Sequence, residues 1–428
     1  MNVRVQAHAG TRVQPSRGWW PARWSTPLSR LASLALLAEW LVLACVALVA
    51  LDSALGWIGR AVFLLAAGIG AVGAVGAARR RPSGRALTAI GLGSMGFIVG
   101  VGYGIPRVVE GSWWLSIVPL AAAVASLGLM AGGGLVAIRM MRGPLKLLAL
   151  PVALALAQFV LLPGTTGTLG AHGARSPLAA PLPSGAEEVR IVADDGVALG
   201  AWYIPGTNGA AVVILPGAGG NRSHTYDHAR AIAALGYTVL SVDARGNGDS
   251  GGVNNIWGWE GDRDIDAAVA WLRTRPGVDA WRIGLVGLSM GGEQAITFVG
   301  RTHGVHAVVS EGVEARMPAD TWYVADGVRG WTERTVAAVM WAVADLWTAA
   351  SPPPSLRESA AGLRGTPVLL IAADAPDERA VAIDLAARAP EIEVWQTSGV
   401  GHTQALAVRP EEWRARVGAF LDRALLDR

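Results

Sequence analysis

The sequence predicts an all-α membrane domain of about five helices, followed by an α/β domain built on a mostly parallel sheet. Three observations carry this. Long apolar runs with few charges fill roughly the first 165 residues. From about Glu187 onward, short β-rich runs alternate with amphipathic helical patterns. Between one such strand and helix stands Gly287-Leu288-Ser289-Met290-Gly291, a pattern that presents a serine on a tight turn.

Composition agrees with the first observation. Of 428 residues, 52% are hydrophobic and only 16% charged, against the quarter that soluble domains usually carry. The net charge is only +3. Nearly all cations are arginines, with Lys146 an exception, and they cluster in short loops, so no nucleic-acid footprint appears. The expected partners are a lipid bilayer and a small-molecule or acylated, lipid-like substrate; the sequence is silent on oligomeric state. The single cysteine, Cys45, sits in an apolar run and excludes both a disulfide framework and a cysteine metal site.

After a leader over 1–30, five apolar stretches each reach the ~20 residues a span needs: about 31–51, 57–78, 86–105, 113–138 and 145–163. The first starts too far in, and without a small-residue cleavage site, to be a cleaved signal. Arg12, Arg17, Arg23 and Arg30 precede the first span, Arg79, Arg80, Arg81 and Arg85 follow the second, and Arg139, Arg142 and Lys146 follow the fourth. The alternate connections hold only Asp52, Arg107 and Glu110. The positive-inside rule then places the amino terminus in the cytoplasm and the C-terminal domain outside it. Trp113 and Trp114 read either as an interfacial belt or as ordinary packing. Glu39, an acid inside a span, is a functional hypothesis or a helix–helix hydrogen bond, and Arg60 is placed to snorkel.

A Gly/Pro/Ala/Ser/Thr-rich segment, 164–186, reads as a linker. The domain over 187–428 then offers strands at about 188–193, 198–204, 211–215, 237–242, 282–286, 306–310, 367–372 and 392–396. Helical patterns fall at about 224–235, 260–275, 290–301, 378–389 and 410–426. Continuous apolar strands separated by helices mean a sheet covered on both faces. The first two strands have no helix between them, which predicts an antiparallel start. Residues 312–364, with Trp322, Trp331, Trp341 and Trp347, interrupt the alternation. They read as a helical cap over the site, a membrane-facing surface, or plain core helices.

The serine pattern occurs twice. Gly248-Asp249-Ser250-Gly251-Gly252 also satisfies it, but opens a Gly/Asn loop instead of a helix, so Ser250 is read as a turn residue. Ser289 has the strand–turn–helix context and is the expected nucleophile. His402, in Gly401-His402-Thr403 before the last helix, is the expected base. The orienting acid is expected after strand 367–372. Asp377 is the first choice, Asp374 the alternative and Glu378 a third. Backbone N–H groups of Met290 and Ala218, the latter in Pro216-Gly217-Ala218-Gly219-Gly220, are expected to form the oxyanion hole. No metal-ligand spacing or complete phosphate-binding pattern is present, so neither metal nor cofactor is expected.

These residues carry a resemblance. Asp195-Gly196-Val197, the glycine loop over 216–222, Asp243-Ala244-Arg245-Gly246-Asn247-Gly248, the Ser289 motif with Gly292-Glu293, and Gly401-His402 stand in the order found in α/β-hydrolase-fold serine hydrolases. The chain from 187 to 426 is most similar to their dienelactone-hydrolase and prolyl-oligopeptidase-like branch. The resemblance implies an α/β-hydrolase fold with a helical cap insertion, and cofactor-free hydrolysis of an ester, thioester or amide through an acyl-enzyme. Esterase-type activity is the first expectation. A peptidase, an acyltransferase and a catalytically silent membrane sensor or scaffold are the alternatives. Two departures stand out: Pro216-Gly217 replaces the usual His-Gly, and two aspartates stand where one is usual.

Overall fold

The computed structural model describes residues 82–324, 326–348 and 350–427. The leader, the first two expected spans, Glu39, Cys45 and Arg60 lie outside the described residues.

Among the described residues, three helices are long and apolar enough to cross a membrane. Helix α1 (Pro82–Val109) and helix α2 (Trp113–Met140) form a close hairpin. A Cβ at Gly133 would stand 2.8 Å from the carbonyl of Ala86, so small residues set the helix spacing. Trp113 and Trp114 at the start of α2 are exposed, which removes ordinary packing as their explanation. The third apolar run is one broken rod. A 3₁₀ turn (Gly143–Leu148) leads into α3 (Ala149–Leu156), a π segment (Ala157–Leu161) and α4 (Leu162–Ala171). The π segment immediately precedes Pro163, which has no N–H to give to the turn before it.

The linker expected from 164 is therefore helical as far as Ala171. Its glycines serve close packing rather than flexibility. Gly167 lies against the carbonyl of Met340, 2.5 Å from a Cβ placed there, and Gly170 against the Trp257 ring. The Thr168 hydroxyl folds back on the Gly164 carbonyl at 2.8 Å. Beyond the helix the chain is bonded down on both sides. Arg107 and Glu110 at the α1–α2 turn hold the His172 carbonyl and the Arg175 N–H, and Gly173 N–H donates to Asn254 O at 2.8 Å.

The C-terminal domain is an eight-stranded sheet in the order β1-β2-β4-β3-β5-β6-β7-β8. In chain order the strands are β1 (Glu187–Val192), β2 (Ala198–Ile204), β3 (Ala211–Leu215), β4 (Thr238–Val242), β5 (Ile283–Leu288), β6 (Ala307–Glu311), β7 (Val368–Ala372) and β8 (Ile392–Gln396). Strand β2 runs antiparallel to both β1 and β4, and every other pairing is parallel. All eight expected strands form, with the expected antiparallel start. The five expected helices form too: α5 (Tyr226–Ala234), α6 (Gly261–Arg273), α7 (Met290–Val299), α10 (Pro376–Arg388) and α11 (Pro410–Leu425).

Their apolar faces explain the layering. Ala229, Ile232, Trp413, Val417 and Leu421 cover one side of the sheet, while Ile265, Leu272, Ile296 and Leu385 cover the other. The interrupting segment folds into a 3₁₀ turn (Pro318–Tyr323), α8 (Val328–Trp347) and α9 (Leu356–Ala360). Helix α8 is no core helix of the sheet. It packs along α4 and buries Trp341 with Trp259 in a cluster of its own, against Trp257.

Candidate active site

Strand β5 delivers Ser289, and a turn forces it into an unusual backbone. Ser289 has φ 50° and ψ −122°, a positive φ rarely taken by a residue with a Cβ. The flanking glycines make the turn feasible. A Cβ at Gly287 would strike the Gly291 backbone, and one at Gly291 would stand 2.5 Å from the Leu215 carbonyl. The Ser289 N–H is fixed by the Glu311 carbonyl at 2.7 Å, so the end of β6 braces the turn.

The next residue of that strand end touches the second group. A Cβ at Gly312 would lie 2.9 Å from Cε1 of His402. Ser289 and His402 are thus held by two consecutive residues, Glu311 through its backbone and Gly312 through its missing side chain. Glu311 also accepts from the Ala405 N–H at 2.7 Å and the Trp413 indole at 3.0 Å, which fixes the helical segment after His402.

The carboxylate at His402 is that of Glu378, not Asp377 or Asp374. Glu378 Oε1 lies 2.6 Å from His402 Nδ1, and its Oε2 accepts the Ala373 N–H at 2.9 Å. Helix geometry explains the correction. Glu378 shares the buried stripe of α10 with Val381, Ala382 and Leu385, whereas Asp377, one residue earlier, projects into solvent. Asp374 is used elsewhere. It accepts the Gly399 N–H at 2.9 Å and pairs with Arg379 at 2.7 Å, clamping two loops together. The acid on an otherwise apolar stripe was the signal in the sequence that marks Glu378.

The Glu378 hydrogen bond, more than any other cause, raises the pKa of His402; partial burial opposes it, and the charges of Glu378, Glu314 and Glu293 add to it. Glu314 lies at the rim, its carboxylate 3.8 Å from His402 Nδ1. Burial raises its pKa, and the His402 charge works against that. Among the described residues, Glu314, Glu378 and His402 are the one group whose donor atoms converge closely enough to hold a metal ion. The short Glu378–His402 hydrogen bond already accounts for two of its members.

The loop after β3 lies against Ser289. A Cβ at Gly217 would come 3.4 Å from that of Ser289, and Gly220 N–H closes a turn on Gly217 O at 2.9 Å around Ala218. Met290 is the first residue of α7, where an N–H has no partner inside the helix. With proline at 216, the loop is supported from its far end. Buried Arg222 pairs with Asp243 and Asp249 at 2.5 Å each. Asn221 donates to the carbonyls of Ser176 and Pro177, both at 3.0 Å, tying the loop to the segment leaving α4.

Ser250 has no part in this constellation. Its hydroxyl donates to the Asp243 carbonyl and accepts the Gly200 N–H, both at 2.9 Å, inside a buried turn.

Residues 203–412 match the model of the X-Pro dipeptidyl-peptidase (S15) family. With the sheet order, this match gives the C-terminal domain an α/β-hydrolase fold. An uncharacterized protein of Mycobacterium tuberculosis is 36% identical to this chain over 129 residues, which is 28% of this chain and 45% of that protein. The uncharacterized protein YfhR of Escherichia coli is 31% identical over 137 residues, 30% of this chain and 48% of that protein. The chain thus spans about half the length of the curated relatives it matches. Among solved structures, the Pyrococcus furiosus esterase Pf2001 aligns with 59% of this chain and 99% of its own, at 23% identity and a TM-score of 0.46.

Proposed function

We propose that the chain is a membrane-anchored serine esterase whose triad is Ser289, His402 and Glu378. The observation that supports this most is the Glu378–His402 pair, which meets the same strand end, Glu311–Gly312, that braces the strained Ser289 turn. With Nδ1 engaged by Glu378, the imidazole keeps Nε2 for the serine proton. Ser289 Oγ attacks the ester carbonyl as His402 takes its proton, and the Met290 and Ala218 N–H groups receive the developing oxyanion. Each such donor is worth about 3–4 kcal/mol in the transition state. Collapse expels the alcohol, which receives the proton from His402. Water then attacks the acyl-enzyme, giving its proton to His402, and the acid and Ser289 are released.

Labelling of membranes with a fluorophosphonate tests this: wild type labels and Ser289→Ala does not. No labelling of folded wild type would refute the proposal. The family match favours one second reading, a peptidase. Faster release of p-nitroaniline from an Xaa-Pro anilide than of p-nitrophenol from a short ester would establish it. The anchoring proposal rests on the three apolar helices and on the turn carrying Arg139, Arg142 and Lys146, which lies at the end of α2 away from the hydrolase domain. A cytoplasmic amino terminus and an extracytoplasmic hydrolase domain would be supported by reaction of cysteines placed at 178–184 with an impermeant reagent in intact cells. Protection would reverse the topology.

A further inference from the structure

The segment expected to form the cap packs against the membrane helices. Helix α8 runs side by side with the last apolar rod. Trp331 stacks on Phe159 at 5.3 Å between ring centroids, Gly167 packs on Met340 and Val343, and His172 meets Trp347 at 6.3 Å. The two helices therefore run in the same direction, and the start of α8 lies at the level of Phe159.

That level is inside the apolar run. The most apolar window of the rod has a mean hydropathy of 2.2 and none of it is buried in protein. Leu150, Val152 and Leu154 are all at least 60% exposed. Counting ~20 residues onward from Lys146, the last charge before the rod, puts the near edge of the hydrocarbon at about residue 166. Phe159 then lies about 10 Å inside that edge, and Trp331 with it.

The composition of the cap tip fits that position. Val328 is 82% exposed, Trp331 58% and Trp322 40%. Arg357 stacks over Trp322 at 4.2 Å, Arg329 is paired with Glu333 at 2.7 Å, and Arg334 faces Asp326 at 3.7 Å. Apolar and tryptophan side chains with long, paired arginines are what the headgroup–acyl boundary takes.

We propose that the cap tip, Val328 to Trp331, is seated in the lipid leaflet next to the hydrolase domain. The hydrolase domain then meets its substrate there: an amphiphilic acyl ester whose chain stays in the bilayer. The occupant is the leaflet because the exposed tip is continuous with the rod, whose most apolar window no described residue buries. The tip also connects with the chemistry. Helix α8 packs Trp341 against Trp257 and Trp259, and between those two Gly258 abuts the Met290 side chain, 2.6 Å from a Cβ placed there. The substrate class rests on the esterase proposal, whereas the seating in lipid does not.

The full chain, reconstituted in phosphatidylcholine/phosphatidylglycerol vesicles, separates the two. In a Cys45→Ser background, bimane attached to Val328→Cys should be quenched by doxyl-labelled lipid and shielded from aqueous iodide. The opposite pattern overturns the seating, whatever the activity. For the substrate class, Val328→Asp should slow hydrolysis of vesicle-borne p-nitrophenyl palmitate about tenfold and leave p-nitrophenyl acetate within about twofold. Equal effects on both esters, including none, overturn the membrane-borne substrate. Failure of wild type to cleave either ester overturns the esterase assignment and with it the substrate class, and the quenching result still stands.

Discussion

His402 Nδ1 and Glu378 Oε1 lie 2.6 Å apart, and the glutamate is buried on the core stripe of α10 while its neighbour Asp377 is in solvent. A buried acid with one oxygen on the imidazole and the other on the Ala373 N–H has little freedom to turn, so it fixes the ring as well as its charge.

Glu378→Gln should therefore lower kcat by about 10²- to 10⁴-fold, the scale seen when a triad acid loses its charge. Asp377→Asn should stay within about threefold of wild type, because the group is solvated and far from the chemistry in energy terms. Steady-state turnover of a short-chain ester measures both. Loss in Asp377→Asn with full activity in Glu378→Gln would reverse the assignment.

The same contact sets the pH response. Its hydrogen bond raises the His402 pKa above the ordinary 6.5. Because the base must be neutral to accept the serine proton, the acid limb of kcat/KM should fall above pH 6.5 in wild type. In Glu378→Gln that limb should move to lower pH. The linked stability has the opposite sense. The imidazolium–Glu378 contact adds its full stability below pH 6.5 and loses it as pH rises through the folded-state pKa. A pH–rate profile with no shift in the variant would remove Glu378 as the cause.

Ser250→Ala should still label with fluorophosphonate, unlike Ser289→Ala. It should lose about 1–3 kcal/mol of stability, since the buried Asp243 carbonyl and Gly200 N–H both lose their partner. Labelling and a denaturant titration separate the two serines. A stable, unlabelled Ser250→Ala protein would exchange their roles.

The sheet was legible because its central strands are continuous apolar runs and most of them are followed by a helix of clear period. Local backbone context distinguishes Ser289 and His402 from Ser250 and the other histidines, and both meet the strand end at Glu311–Gly312. Three features were not legible. The choice among Asp374, Asp377 and Glu378 is a matter of helix phase, and counting from the strand end ignores phase. The segment after Gly164 has the composition of a linker, yet its glycines and threonines let α4 pack closely on α8, a tertiary effect that local propensity does not contain. The support of the oxyanion loop comes from Ser176, 45 residues earlier in the chain, a contact with no sequence pattern.

Removal of metals should leave turnover unchanged. Glu314, Glu378 and His402 converge, but the proposed chemistry uses His402 as base and Glu378 as its acid. Dialysis against a chelator followed by an ester assay checks it. Loss of activity restored by a divalent cation would make the same three residues a metal centre.

The segment leaving α4 is joined to the loop after β3. Asn221 holds the Ser176 and Pro177 carbonyls, and the adjacent Arg222 is locked to Asp243 and Asp249. Asn221→Ala frees the strap from the oxyanion loop without touching substrate. If the strap positions the Ala218 N–H, kcat should fall about tenfold with KM little changed, because a donor displaced by a fraction of an ångström loses transition-state contact first. Arg222→Met should instead cost about 3–5 kcal/mol of stability, since it leaves Asp243 buried and unpaired. Parallel losses of kcat and stability in Asn221→Ala would reduce the strap to a structural tie. A selective loss of kcat in a fully stable protein would show that the segment leaving the membrane helix sets the geometry of the oxyanion hole.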